Sequence, residues 1–307
     1  MLSKAEVIKQ LIVIEGPTAS GKTSVSVQLA KHFNTCILSA DSRQFYTELS
    51  IGTAKPSSEE QKGIQHYFID SHQLRDEVSA AQFEQEALQI LQEEFKSKDL
   101  IILVGGSGMF IDALCIGLDK IPSSKQMRAE IQAEYDQKGL GFLLEELKSK
   151  DPDYFEEVDQ QNPPRIIRAI EAMRLSGKKY SELRKAKPDE RPFQVQRFVL
   201  KHDRKSLYTR INARVESMIA QGLIAEAMSV KHLRTLSSLN TVGYKELFEY
   251  FDGEVSQHEA IEKIKRNSRR YAKRQITWFK RHEDAIWVNF KSTEQVCKEI
   301  IQKIDLK

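Results

Sequence analysis

Cysteine is scarce in this 307-residue chain, and the three present, Cys36, Cys115 and Cys297, are odd in number and far apart. None falls in a CxxC or Cys/His ligand spacing, which argues against a disulfide framework and a thiolate metal site and suits a reducing compartment. Long apolar runs are missing as well. The segment from Met1 to Gln10 carries Lys4, Glu6 and Lys9, and the apolar run after it is too short to span a bilayer or act as a signal segment. A soluble, cytoplasmic protein is expected. Net charge is also small: 47 Lys and Arg against 44 Asp and Glu leave +3. That balance selects no partner, although the charge is unevenly placed along the chain. There is no internal repeat or low-complexity tract, and the length allows one large domain or two ordinary ones.

What is present begins with a short apolar run, Leu11 to Glu15, leading straight into Gly16-Pro17-Thr18-Ala19-Ser20-Gly21-Lys22-Thr23, the phosphate-binding pattern GxxxxGK[ST]. The two glycines let backbone N–H groups turn inward on phosphate oxygens. Lys22 adds a point charge, and Thr23 offers a hydroxyl to Mg²⁺. Thr23 to Phe33 follows as a helix whose positive N-terminal end points at the anion.

From Leu11 to about Gly117 strands alternate with helices, which implies an α/β core with a mostly parallel sheet, like that of P-loop NTPases. Ile37 to Ala40 is the second strand, with Asp41-Ser42-Arg43-Gln44 at its end. Ala80 to Phe95 is a helix leading into the buried strand Leu100 to Val104 and then Gly105-Gly106-Ser107-Gly108. Ligands in such sheets bind at the carboxyl ends of the strands, so these three loops are expected to converge. No acidic residue closes the 100–104 strand, which argues against steady triphosphate hydrolysis.

After Pro122 the pattern becomes helical and charged: Met127 to Lys150 and Arg165 to Met173 read as helices, interrupted at Asp151-Pro152-Asp153 and Asn162-Pro163-Pro164. Residues 1–118 are therefore assigned to the first part of the core, 119–197 to an all-helical insertion, and 198–307 to the second part of the core. A strand at Val195 to Leu200 returns the chain to the sheet, and Leu207 to Leu233 is helical with a break near Gly222. A helix over Glu262 to His282 places Arg266, Arg269, Arg270, Lys273, Arg274 and Arg281 on one side. Ile261, Ile264, Ser268, Tyr271, Gln275 and Phe279 fall on the other, packing side. Few acids interleave the basic face and Arg predominates, which suits bidentate phosphate contact and a nucleic-acid backbone.

Two reaction classes use such a pocket. In a kinase the loop holds a nucleoside triphosphate and Asp41 positions an acceptor hydroxyl. In an alkyl transferase the loop holds a pyrophosphate leaving group, while Asp41 takes a proton from the incoming nucleophile. Kinases are the commoner owners of the loop; the basic surface favours the transferase. A noncatalytic RNA binder with a vestigial loop is a third reading.

Six blocks in order carry a resemblance: GPTASGKT (16–23), DSRQFYTELSIGTAKP (41–56), GGSGMFIDALCIGL (105–118), DRKSLYTRINARVESM (203–218), GYKE (243–246) and AKRQITWFK (272–280). Together they closely resemble the bacterial-type tRNA dimethylallyltransferases, over essentially the whole chain. The resemblance implies transfer of a dimethylallyl group from dimethylallyl pyrophosphate to the exocyclic amine of the adenosine just 3′ of the anticodon, in tRNAs reading codons that begin with U. It also implies Mg²⁺ as cofactor, at Thr23, and a tRNA and dimethylallyl pyrophosphate as partners. No membrane is involved, and a monomer is expected.

By motif position, Asp41 resembles the general base, with Ser42, Arg43 and Gln44 beside a nucleotide flipped out of its stack so that its amine can reach the allylic carbon. Gly16, Pro17, Thr18, Ala19, Ser20, Gly21, Lys22 and Thr23 would hold the pyrophosphate. Arg214 matches an arginine near the diphosphate, with Arg210 one helical turn away, and Ser107 stands where the family usually has Thr. Lys22, Ser107, Arg214 and Asp41 form the expected catalytic set. Arg128 and Pro164-Arg165-Ile166-Ile167-Arg168 match positions that touch the anticodon stem-loop, with Pro163-Pro164 replacing the usual acidic residue and Gln. Arg269, Arg270, Lys273 and Arg274 complete the expected tRNA surface. His66, Trp278 and Phe279 are expected to be structural.

Overall fold

In the computed structural model, which describes residues 8–184 and 190–304, the core is a six-stranded sheet. Its strands are β1 (Gln10–Glu15), β2 (Ile37–Ala40), β3 (His66–Tyr67), β4 (Leu100–Gly105), β5 (Gln194–Lys201) and β6 (Ile286–Asn289). They lie in the order β3-β2-β4-β1-β5-β6, every neighbouring pair parallel. The expected α/β core with a mostly parallel sheet is therefore present. The two edge strands, β3 and β6, are additional. Two and four residues long, they carry too little apolar alternation to stand out in a sequence.

The helices, in chain order, are α1 (Lys22–Phe33), α2 (Ser58–Gln61), α3 (Ala80–Glu94), α4 (Gly108–Ile116), α5 (Lys125–Lys150), α6 (Pro152–Glu157), α7 (Pro163–Ser176), α8 (Tyr180–Leu183), α9 (Arg204–Ala220), α10 (Leu223–Ser229), α11 (Tyr244–Phe251), α12 (Gln257–Phe279) and α13 (Thr293–Lys303). Two compact units result. One comprises residues 8–115 and 191–304, and the other lies between residues 116 and 190.

Strand β1 is buried at every position because a central parallel strand is covered on both faces, and Ile12, Ile14, Val25, Leu29, Ile102, Phe198 and Ile300 form one apolar cluster around it. Register then does the positioning. Glu15 pairs with Gly105, and Gly105 pairs with Ala40, so Gly16, Gly106 and Asp41 leave the sheet side by side at its carboxyl end. Gly105 permits that closeness, since a Cβ there would stand 2.4 Å from the Ala40 carbonyl oxygen. Directly after Gln44, Phe45 is fully buried and stacks on Phe83 of α3 at 5.6 Å, anchoring the 41–44 loop to the core.

Within the second unit, Ile131, Leu143, Leu147, Tyr154, Ile166, Ile170 and Met173 make a separate apolar core. Asn162 caps α7, and Pro163 opens it. Ile166 and Ile167, matched by motif to a tRNA-contacting segment, are 0% and 6% exposed, and their side chains pack in that core. Arg128 and Arg168 both donate to the buried Glu171 carboxylate, at 2.9 Å each, and Arg168 also donates to the Pro122 and Ile121 carbonyls. Pro164 and Arg165 are exposed.

Candidate active site

A cavity of about 520 Å³ opens at the carboxyl end of the sheet in the first unit. It is lined by Thr18 to Thr23, by Asp41, Arg43 and Gln44, by Gly105, by Arg210 and Arg214 of α9, and by Ser268, Tyr271 and Gln275 of α12. The loop expected to hold phosphate and the carboxylate expected to act as base thus share one pocket.

The phosphate loop keeps its shape through backbone that few residues adopt. Gly21 has φ 86° and Ala19 φ 63°, both left-handed. Lys22 donates its ammonium to the Gly16 and Pro17 carbonyls at 2.7 and 2.9 Å, lying across its own loop. Burial pulls the Lys22 amine down to about 8; the Asp41 carboxylate opposes this and the Arg214 cation adds to it. Burial likewise pulls Arg214 below the usual guanidinium range, against Asp41 and Glu60. Asp41, Lys22 and Arg214 are therefore close enough to feel one another's charge, while Arg210 takes a supporting place. Its Nε donates to the Ala19 carbonyl at 2.7 Å and its guanidinium lies 5.5 Å from the Phe290 ring. His202 stacks on the same ring at 4.6 Å and bonds the Ser20 carbonyl at 2.9 Å.

Across the pocket, Asp41 Oδ1 accepts the Arg43 amide at 3.2 Å, a turn that sets the direction of its carboxylate. Ser107 Oγ accepts the Ser42 amide at 3.1 Å and donates to Ser42 Oγ at 3.2 Å. The Ser107 hydroxyl thus ties two of the site loops together.

Helix α12 contributes residues from the face that helical spacing assigns to packing, and Gln275 and Tyr271 do most to shape the site. Gln275 is 6% exposed; its Oε1 accepts the Thr18 amide and its Nε2 donates to the Gly106 carbonyl, both at 2.9 Å. Tyr271 keeps 37% of its surface exposed while lining the cavity, yet burial at its hydroxyl end and the Asp41 charge push that hydroxyl up to about 12. The sequence signal for both was a polar residue on an otherwise apolar face. Trp278 is structural: it packs so closely on Gly108 that a Cβ there would stand 2.2 Å from the indole, and its Nε1 donates to Asp112 at 2.8 Å. Phe279 is fully buried.

The helix runs from 257 to 279, capped by Ser256 with Glu259, so it starts earlier than 262 and ends before Arg281, which lies 4.5 Å over the Trp278 ring. Arg269 leaves the free face, donating to Asn212 Oδ1 at 2.7 Å. Arg266, Arg270, Lys273 and Arg274 are exposed.

Behind the phosphate loop, the buried Arg197 of β5 pairs with Glu15 and Asp112 at 2.9 Å each. Burial raises the Glu15 carboxyl above the usual range, more than Arg197 lowers it. Neither this triad nor Glu226, whose carboxylate grips residues 50–52, stands out in the sequence, because their partners are brought together only by the sheet and by α9 to α11.

Comparison with known proteins agrees with this geometry. The family model described as IPP transferase matches residues 44–282. The tRNA dimethylallyltransferase 1 of Bacteroides fragilis is 47% identical over 289 residues, 94% of this chain and 96% of that protein. Its counterpart from Bacteroides thetaiotaomicron is 49% identical over 90% of each chain. Among solved structures, the full-length tRNA isopentenylpyrophosphate transferase of Bacillus halodurans superposes with a TM-score of 0.71 at 35% identity, covering 96% of both chains. A eukaryotic dimethylallyltransferase described as acting on tRNA shares the fold, with a TM-score of 0.79 at 22% identity over 97% of this chain and 81% of that one. Sequence, sheet topology and site together make this chain a member of the IPP transferase family, the tRNA dimethylallyltransferases.

Proposed function

We propose that this protein transfers a dimethylallyl group from dimethylallyl pyrophosphate to the exocyclic N6 amine of the adenosine immediately 3′ of the anticodon, in tRNAs reading codons that begin with U. One observation carries the reading: an anion-binding loop and a carboxylate face the same cavity, beside a helix whose exposed face is cationic. The backbone N–H groups at the N-terminal end of α1, the Lys22 ammonium and the Arg214 guanidinium stabilise a diphosphate, and most strongly as it gains charge on leaving. The amine nitrogen attacks the allylic C1. The N–C bond forms, the C–O bond breaks, and the electron pair departs with the pyrophosphate. The proton shed by the amine passes to the Asp41 carboxylate. Ser107 and Gln44 hold the base, while Arg270, Lys273 and Arg274 hold the RNA backbone.

The donor set suits Mg²⁺. Thr23 supplies one hydroxyl at the cavity wall, and no cluster of three or more His, Cys, Asp or Glu stands among the described residues, so the remaining oxygens would come from diphosphate and water. The ion would neutralise charge on the leaving group. No described helix is long and apolar enough to cross a membrane. A cytoplasmic, monomeric enzyme is part of the proposal.

The test is mass spectrometry of anticodon-loop fragments from unmodified tRNA incubated with the protein, Mg²⁺ and either dimethylallyl pyrophosphate or ATP. A prenyl increment on the adenosine beside the anticodon is expected with the allylic donor alone, abolished by Asp41→Ala while tRNA binding persists. ATP consumption on a small acceptor, with no increment, would support the kinase instead.

A further inference from the structure

Glu226, on α10, accepts four hydrogen bonds with a single carboxylate. The backbone N–H groups of Ser50, Ile51 and Gly52 donate at 2.9, 2.7 and 2.8 Å, and the Tyr244 hydroxyl donates at 2.7 Å. The Tyr244 ring lies against Gly52 so closely that a Cβ would stand 2.6 Å from the hydroxyl oxygen. Three consecutive amides on one anion fix the direction of the chain that follows. The next two residues use it: the Thr53 and Ala54 carbonyls both accept from Gln44 Nε2, at 3.2 Å each. Ala54 itself holds a left-handed φ of 45°.

The consequence falls on Gln44, which lines the cavity. Both hydrogens of its amide are spent on the 53–54 carbonyls, so the side-chain oxygen is the end left for a ligand. Among the described residues that oxygen accepts from Ser39 Oγ at 3.3 Å, a long bond with capacity to spare. An acceptor held in this way meets a donor such as the exocyclic amine of adenine; rotated by half a turn, the same amide would present donors to it.

We infer that Glu226 is a positioning residue for nucleotide recognition: by holding residues 50–54 it locks the Gln44 amide with its oxygen available to the adenine amine. This rests on the prenyl-transfer reading above and deepens it. Glu226 sits on a different element from any residue proposed to touch substrate, and it acts only through the loop.

The experiment is a double-mutant cycle on prenyl transfer, with Glu226→Gln, Gln44→Ala and both together, each checked for folding by circular dichroism. Glu226→Gln keeps size but replaces an acceptor oxygen with a donor facing the loop amides. It should raise KM for tRNA about tenfold while KM for dimethylallyl pyrophosphate stays within about twofold. The double variant should match Gln44→Ala alone within about twofold, because the two act as one unit. Tyr244→Phe, which removes one bond to the same carboxylate, should shift KM for tRNA in the same direction by about two- to fivefold, and it serves alone if Glu226→Gln does not fold. Effects that multiply in the double variant, or a KM for the prenyl donor that rises in step, would overturn the assignment and make Glu226 a general support of the pocket. An unmodified tRNA after incubation with the unaltered protein would instead sink the prenyl-transfer reading, so the two failures are separable.

Discussion

Replacing Gln275 by Leu tests whether α12 latches the phosphate loop or merely packs beneath it. Leu keeps most of the volume, so little cavity forms, but the Thr18 amide and the Gly106 carbonyl each lose a 2.9 Å partner. An unpaired buried polar group costs about 1–3 kcal/mol. Gly106 is buried and bears that cost in full, whereas the Thr18 amide borders the cavity and water replaces part of its lost bond. The expected destabilisation is therefore about 2–4 kcal/mol, toward the lower half of the sum of the two losses. Both tryptophans, Trp278 and Trp287, lie in the same compact unit as Gln275, so urea unfolding followed by tryptophan fluorescence reads that unit directly. Freed from its latch, the Thr18 end of the loop should also bind diphosphate less well, raising KM for dimethylallyl pyrophosphate about tenfold with a smaller change in KM for tRNA. Gln275→Glu separates the two contributions, since it keeps the acceptor for Thr18 but brings negative charge beside the anion site and leaves Gly106 unpaired. A Gln275→Leu protein within about 0.5 kcal/mol of the unaltered one, with both KM values unchanged, would refute the latch.

Because burial holds the Lys22 amine at about 8, the free enzyme loses its ammonium above that pH, and the anion-binding form decays. KM for dimethylallyl pyrophosphate should then rise about tenfold per pH unit above about 8, while Lys22→Arg, which stays charged, should lack that alkaline limb. A flat KM up to pH 10 in the unaltered protein would contradict the assignment. On the RNA side, Arg270→Ala with Lys273→Ala should weaken tRNA binding uniformly across tRNAs and reduce the slope of log K against log salt by about 1–2. Arg269→Ala should affect the slope less, since its guanidinium is held by Asn212; equal slopes for all variants would return the helix to a solvated surface.

Local chemistry was enough to read the parallel core and the three loops at its carboxyl end. A buried apolar run followed by GxxxxGK[ST] admits few conformations, and parallel strands must place their carboxyl ends on one rim. The motif blocks told the family because they combine the loops at the sheet's carboxyl end with the segments of α4, α9, α11 and α12 that follow or face them. What the sequence could not supply were pairings between distant segments whose polar members look ordinary alone. Gln275 reads as one polar residue on an apolar stripe until the sheet register brings Thr18 and Gly106 to either side of it. Glu226 reads as a surface acid until the fold brings Tyr244, at the start of α11, and the distant loop residues 50–52 to its carboxylate. Ile166 and Ile167 sit inside a tRNA-matching segment, yet helical periodicity within the second unit turns both inward. Backbone geometry is a short-range property and was legible from the chain, whereas the identity of a buried polar partner depends on which surfaces the completed fold presses together, and tertiary structure alone decided that.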